Sequence, residues 1–269
     1  MKTLGNIKRA LAGLWYTTFQ KCPRPSDLAA KEVIGTSKEG RDIVSYRVGS
    51  GKNTIVIAAA IHGNEVGTAK LAFYLLDHLA KQKEIPDVTY KVVPVLNPDG
   101  YSQAKSQPDF INGGRIGRFN ANGVDLNRNF DTPTFTSPAK WVHGKAYQDS
   151  TEVFAGKYPN SEPETKALLS LLDRNHMSGC VMLHSAGADV LGNKVSPAPE
   201  AAAEFSGTTG YKLITDAVWQ KLFQTGSLKE WCEIRNIPYI EIECSSRWDS
   251  DWKRQKTALP QVIDRFSTA

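Results

Sequence analysis

Apolar residues fall into short runs and helical stripes that alternate along most of the chain. Ile55 to Ile61 is one continuous apolar run, and it stops at His62-Gly-Asn-Glu65. A run this short cannot span a membrane and reads as a strand buried on both faces. Apolar residues then recur at Ala69, Ala72, Phe73, Leu76 and Leu79, which is a helical period. His62 and Glu65 are therefore placed in a strand-to-helix turn, where open α/β sheets bind their ligands.

The same pattern extends to both sides. The stretch 32–49 reads as a hairpin turning at Lys38-Glu39-Gly40. Val88 to Leu96 is a strand stopped by the turn Asn97-Pro-Asp-Gly100, and a long polar loop follows from about Tyr101 to Asp131. Loops of that length in a compact domain are usually functional. Ser161-Glu-Pro-Glu164 has the form of a capping box, opening a helix to about Asn175. Gly179 to His184 is a second apolar strand that ends in a histidine. Ser227 to Asn236 reads as a short helix and Pro238 to Cys244 as a strand. Ser250 to Phe266 is a closing helix, interrupted near Pro260.

Strands alternating with helices predict an α/β fold: one domain with a mixed, mostly parallel sheet and helices on both faces. The expected division is an N-terminal extension over 1–30 and one α/β domain over 31–269. Lys2, Lys8 and Arg9 precede a short apolar stretch that imitates a signal peptide. That stretch is aromatic, carries two threonines and has no small-x-small site before Lys21. An amphipathic extension of a cytoplasmic protein is the expectation, with export left open.

Composition changes this picture little. Lys and Arg outnumber Asp and Glu by 33 to 28 in 269 residues, and the charges are dispersed. That excludes a nucleic-acid binder read from charge, and no segment is long enough for a membrane span. The four cysteines (Cys22, Cys180, Cys232, Cys244) show no C-x-x-C pairing, and Cys180 and Cys244 read as buried thiols. His78, His143 and His176 read as surface residues.

Two parallel strands ending in histidines converge on one edge of a sheet. His62, Glu65 and His184 then offer two imidazoles and a carboxylate, leaving a fourth position open for water, as in catalytic zinc sites. Each residue also has a plainer reading, as a turn cap or a satisfied strand-terminal histidine.

What extends the pattern is Gly123-Val-Asp-Leu-Asn-Arg-Asn-Phe130, together with Asn97-Pro-Asp-Gly100 and the His62-x-x-Glu65 spacing. In this order the motifs resemble the M14 zinc carboxypeptidases, over roughly Val33 to Val262. The likeness is nearer to a small bacterial branch that includes murein tripeptide amidases. The resemblance implies an eight-stranded mixed sheet and one zinc ion per chain, held by His62, Glu65 and His184. It implies that Asn127 and Arg128 hold the substrate's terminal carboxylate and that Arg118 polarises the scissile carbonyl. Thr225-Gly-Ser-Leu-Lys-Glu-Trp231 resembles the family's substrate-pocket segment, and its spacing to the last strand puts the catalytic glutamate at Glu243 rather than Glu241. One departure stands out. Digestive members carry a tyrosine shortly before Gly-Ser, whereas this chain reads Trp219-Gln-Lys-Leu-Phe-Gln224, with Tyr211 too far upstream.

The implied activity is zinc-dependent hydrolysis of an amide bond beside a free carboxylate. The implied substrate is a short peptide or a γ-D-glutamyl-diaminopimelate muropeptide. Deacylation of N-acyl amino acids and non-catalytic peptide binding are the alternatives. A binding module's mark would be a lost ligand or a lost glutamate, and neither is lost here.

Overall fold

The computed structural model describes residues 29–82, 87–106, 115–143, 149–173, 177–219 and 224–267. Its centre is an eight-stranded sheet. In chain order its strands are β1 (Ala30–Thr36), β2 (Asp42–Val48), β3 (Asn53–Ala59) and β4 (Val88–Val93), then β7 (Met177–Ser185), β8 (Asp189–Gly192), β9 (Lys212–Leu213) and β10 (Tyr239–Cys244). They lie in the order β1-β2-β4-β3-β7-β10-β8-β9. The central strands β4, β3, β7 and β10 run parallel, β1 and β2 are antiparallel to their neighbours, and β8 is antiparallel to β10 but parallel to β9. β5 (Ala139–His143) and β6 (Asp149–Val153) form a separate hairpin.

The apolar run of β3 divides by its pleat. Ile55, Ile57 and Ala59 face a core built with α1 (Val66–Ala80), α4 (Ala198–Thr209) and α8 (Ala258–Ser267). Val56 and Ala58 face the opposite core, with α3 (Pro163–Leu172) and α6 (Leu228–Ile234). Successive side chains of a strand point to opposite faces, so an unbroken apolar run is what a doubly covered strand requires. Each fully buried Ile or Leu contributes roughly 1.5–3 kcal/mol. Because β3, β7 and β10 are parallel, their C-terminal ends share one edge, and that edge carries His62, His184 and Glu243.

Some local expectations are corrected. Asn97-Pro-Asp-Gly100 does not merely stop a strand: α2 spans Pro98–Ser106, and Asn97 Oδ1 accepts from Gly100 N at 2.9 Å. The polar loop therefore starts a full helix later than expected. The capping box does not form. Glu162 holds the N-cap position without a side-chain bond, because Ser161 Oγ donates to Glu162 Oε1 at 2.6 Å and receives Asn129 Nδ2 at 3.0 Å. α3 ends at Leu172, capped by Asp173. The closing helix is two helices, α7 (Trp252–Gln255) and α8, and the break precedes Pro260. Pro260 sits in the first turn of α8, where its missing N–H has no partner to lose.

The β5–β6 hairpin, β8, α4, β9 and the single turn of α5 (Asp216–Trp219) were not among the expected elements, although Ala198, Ala201, Ala202 and Phe205 of α4 are spaced as one helical face. Cys180, Cys232 and Cys244 are buried free thiols. The expected extension lies almost wholly outside the described residues, as do Cys22 and His176. No described helix is long and apolar enough to cross a membrane.

Candidate functional site

The turn after β3 is shaped by close packing. Ala60 N donates to Thr68 Oγ1 at 3.1 Å, and that hydroxyl donates to Glu65 O at 2.7 Å. A Cβ on Gly63 would lie 2.1 Å from Tyr101 N and 2.2 Å from Gly100 C, so only glycine lets this turn rest on the start of α2. Asn97 Nδ2 reaches Arg118 O at 3.5 Å, tying α2 to the loop that follows. The motifs around His62, Asn97 and Arg118 thus form one packed unit.

Glu65 occupies the N-cap position of α1 but makes no side-chain cap bond. Its carboxylate goes to the histidines instead: Oε1 lies 2.9 Å from His62 Nδ1 and Oε2 lies 3.1 Å from His184 Nδ1. All three side chains are buried, and their ligand atoms lie within 4.8 Å of one another. Burial opposes charge on Glu65, yet His62 and His184 outweigh it and hold the carboxyl well below its usual range. Burial likewise opposes charge on His184, while Glu241 and Glu65 push its imidazole up to about 10. Two imidazole nitrogens and a carboxylate form a donor set that suits zinc, and the field among them favours a cation.

Asp125 organises the surroundings. Its Oδ1 lies 3.1 Å from His62 Nε2 and accepts from Asn127 N at 3.2 Å. Its Oδ2 accepts from Arg118 Nε at 3.2 Å and Nη2 at 2.8 Å. Burial would raise this carboxyl, but Arg118 and His62 hold it well below the usual range. A carboxylate on the far nitrogen of an imidazole fixes the tautomer that leaves Nδ1 free to ligate. Arg118 is sandwiched between Asp125 and the ring of Trp141, 4.1 Å away, and among the described residues its Nη1 has no hydrogen-bond partner.

Asn127 and Arg128 sit in a single 3₁₀ turn whose N-cap is Asp125. Arg128 donates from Nε to Lys140 O at 3.1 Å and from Nη1 to Asn127 O at 2.7 Å. Asn127 Oδ1 accepts from Leu228 N at 3.1 Å, and its Nδ2 lies 3.4 Å from His184 Nε2. Gly226 presses on this turn. Its φ is +62°, and a Cβ there would meet Arg128 O at 2.4 Å. The Gly226-Ser227 segment is thereby clamped against the arginine motif, and Ser227 caps α6 by accepting from Glu230 N.

On β10, Glu243 lies opposite His184 in register. It is half-buried, and no described residue gives its carboxylate a hydrogen bond. Burial, reinforced by Glu65, Asp189 and Glu241, pushes it well above the usual range against the pull of His184. Glu241 is buried deeper and accepts from Tyr239 Oη at 2.6 Å, with His184 Nε2 at 3.8 Å.

A cavity of about 240 Å³ joins these groups. Each residue singled out from the sequence (His62, Glu65, Arg118, Asn127, Arg128, His184, Glu243) lines it. His143, expected at the surface, also lines it, half-buried with Nε2 2.9 Å from Thr151 Oγ1 and its ring against Trp141. His78, likewise expected at the surface, is half-buried and packs edge-on to Trp252. Tyr211 is not a cavity residue. It is buried on the α4 side of the sheet, where its Oη donates to Asp251. Sequence reasoning missed Asp125, Trp141, Gln224 and Arg247. Asp125 was within reach, standing two residues before Asn127 in the quoted motif. Gln224 ends the quoted Trp219–Gln224 stretch, just before the pocket segment, whereas Trp141 and Arg247 come from segments without any pattern.

The geometry is that of a known class. The family model for zinc carboxypeptidases, Peptidase_M14, matches residues 18–201, and the chain belongs to this family. Human carboxypeptidase B2 is 30% identical over 181 residues, covering 60% of this chain and 41% of that protein. The curated carboxypeptidases matched are spanned over 20% to 42% of their own length. Among solved structures, carboxypeptidase A from Helicoverpa armigera superposes with a TM-score of 0.68 at 20% identity, covering 90% of this chain and 69% of that one. Murein-tripeptide amidase MpaA from Escherichia coli O157 does so with a TM-score of 0.64 at 24% identity, covering 92% and 98%. These two likenesses establish the fold.

Proposed function

We propose that this chain is a zinc-dependent carboxypeptidase or amidase. It hydrolyses the amide bond next to a free carboxylate, with a γ-D-glutamyl-diaminopimelate muropeptide as substrate. The observation that carries the reading is the convergence of the His62–Glu65–His184 cluster, Arg118, Asn127–Arg128 and Glu243 on one cavity.

His62, Glu65 and His184 would hold one zinc ion. When bound, zinc supplies Lewis acidity and a water acidic enough to attack at neutral pH. Arg128, with the Asn127 amide beside it, binds the terminal carboxylate. Arg118 directs its free Nη1 to the carbonyl oxygen where negative charge develops, and Asp125 and Trp141 keep it from moving. Glu243 takes a proton from the attacking water and delivers it to the departing amine, a task served by a carboxyl titrating above its usual range.

The choice of a diamino acid rests on Glu241. It is a buried cavity carboxylate whose only hydrogen bond among the described residues comes from a neutral phenol. A carboxylate there suits an ammonium on the released residue. The fold shared with the murein-tripeptide amidase supports the same substrate.

Purified protein should carry one zinc per chain and release diaminopimelate from L-alanyl-γ-D-glutamyl-diaminopimelate. A chelator should stop turnover and added zinc restore it. Cleavage of ordinary C-terminal residues without release of diaminopimelate removes the muropeptide and keeps the carboxypeptidase. Turnover of N-acyl amino acids alone would mark a deacylase.

A further inference from the structure

Three guanidinium groups line the cavity, and two of them are engaged. Arg118 is paired with Asp125, and Arg128 is bonded to the carbonyls of Asn127 and Lys140. The third, Arg247, follows β10. Its carbonyl accepts from Gly67 N at 2.6 Å, which anchors its backbone to the first turn of α1. Its side chain lines the cavity, yet among the described residues it makes no hydrogen bond. Its Nη1 is shielded from solvent and has no partner among the described residues. A shielded charged donor left unpaired is costly, and such groups cluster where a ligand completes them.

The place of Arg247 relative to the other two gives the direction. It lies in the field of Glu65, Arg118 and Glu243. Arg128 lies in the field of Asp125, Arg118 and Glu241. Arg247 is anchored to α1, which packs on the face of the sheet carrying Ile55 and Ile57, whereas Arg128 is clamped by Gly226 just before α6, on the face carrying Val56 and Ala58. The two therefore mark opposite sides of the cavity, with Arg118 in the field of both. On the reading given under Proposed function, a substrate with its terminal carboxylate on Arg128 has its scissile carbonyl at Arg118. Its acyl portion then extends toward Arg247.

We propose that Arg247 binds a carboxylate carried by the acyl residue of the substrate, on the far side of the scissile bond from the released amino acid. In an ordinary α-linked peptide the acyl residue presents a neutral amide to this end. A γ-linked glutamyl residue instead presents its free α-carboxylate, separated from the scissile carbonyl by three carbons. The guanidinium fork matches that group, and no other described side chain at this end offers an uncommitted positive charge. Glu65 and Glu243 oppose an acyl-side anion, so a substrate lacking the match to Arg247 would gain nothing from being acidic. This inference rests on the proposed hydrolase reading for its orientation.

The test compares γ-D-glutamyl-diaminopimelate with its α-amide, D-isoglutaminyl-diaminopimelate, using the zinc-loaded full chain. The wild type should prefer the free acid in kcat/KM by about ten- to a hundred-fold, the scale of a charge-assisted hydrogen bond. Arg247→Gln should bring that ratio close to one, with the loss falling on the acid, and Arg247→Lys should restore part of it. Equal use of acid and amide by the wild type overturns the proposal. So does a Gln variant that slows both substrates in proportion.

Should neither diaminopimelate substrate be cleaved while C-terminal lysine peptides are, the comparison moves to α-linked pairs with glutamate or glutamine before the scissile bond. A glutamate preference that Arg247→Gln removes then supports the inference, and no preference overturns it. Calorimetric titration with L-alanyl-D-glutamate reads the same contact without turnover. Saturable binding weakened by Arg247→Gln supports the site, and wild type and variant behaving alike defeats it.

Discussion

The floor and the mouth of the cavity are each marked by a glutamate of β10, and the two are treated differently. Glu241 and Glu243 are two residues apart, so they share a face and stand about 7 Å apart along the strand. At the floor, Glu241 is buried, receives the Tyr239 phenol at 2.6 Å and lies 3.8 Å from His184 Nε2. At the mouth, Glu243 takes no hydrogen bond from any described residue and is pushed well above its usual range by burial and the carboxylates around it. A carboxylate without a donor and crowded by like charges is suited to exchanging its proton, whereas one held by a fixed donor is oriented in place. The same residue type on one strand is thus held by a hydrogen bond at one depth and is suited to carrying a proton at the other.

The comparison breaks most sharply at Glu243→Gln. The amide keeps the size of the side chain and removes the proton acceptor. Turnover should fall roughly 10²- to 10⁴-fold, the usual contribution of general acid–base catalysis, with zinc content unchanged. Steady-state kinetics together with metal analysis on the same preparation checks it. A Glu243 variant that stays active beside a dead, folded, zinc-loaded Glu241→Gln would reverse the two assignments.

Glu241→Gln should act on selectivity. Removing the charge at the floor should lower kcat/KM about tenfold for a substrate whose released residue carries an ammonium, in line with a lost charge-assisted contact of ~1.5 kcal/mol. A norleucine substrate of similar length should be little affected or improved, because no ammonium is lost to it. Parallel kinetics on C-terminal lysine and norleucine peptides reads the ratio. Equal losses on both would place Glu241 in support of His184 rather than in substrate selection.

How much of this was open to the sequence depends on which interactions are local. The β3 run and the helical stripe of α1 are set by burial on both faces, and that is written in consecutive residues. His62, Glu65 and His184 were readable because strand ends in a parallel sheet converge whatever the loops do. The capping box was misread because Ser161 and Glu162 bond to each other and to Asn129, thirty-odd positions away, and a four-residue pattern cannot register that competition. His143 escaped for a similar reason. Its polar neighbours in sequence suggested solvent, but the β5–β6 hairpin folds it against Trp141 at the cavity wall. Arg247 carried no signal at all, since its meaning lies in which other arginines are already bonded.

The smallest expected effect sharpens the floor itself. Tyr239→Phe removes the donor to Glu241 without changing the shape of a fully buried ring. The carboxylate then loses its only hydrogen bond among the described residues, and a lost bond to a charged group costs about 1.5–3 kcal/mol. The expected result is lower stability in denaturant titration, with catalysis on norleucine peptides reduced only slightly, since Glu243 and the histidines are untouched. The phenol also leaves a signature in pH. Burial and Glu241 hold the Tyr239 hydroxyl well above its ordinary value of 10.0 in the folded protein. The folded state therefore keeps a proton that the unfolded chain releases above that value, so this residue's contribution declines as pH rises past about 10. Phenylalanine has no proton to release, and the alkaline fall in stability should be shallower in the variant than in the wild type. In a Tyr239→Phe/Glu241→Gln double variant the two stability losses should not add, because one removes the donor of the contact and the other replaces its charged acceptor with a neutral amide. Strict additivity would mean that the phenol and the carboxylate act independently, and the floor of the cavity would then need another account.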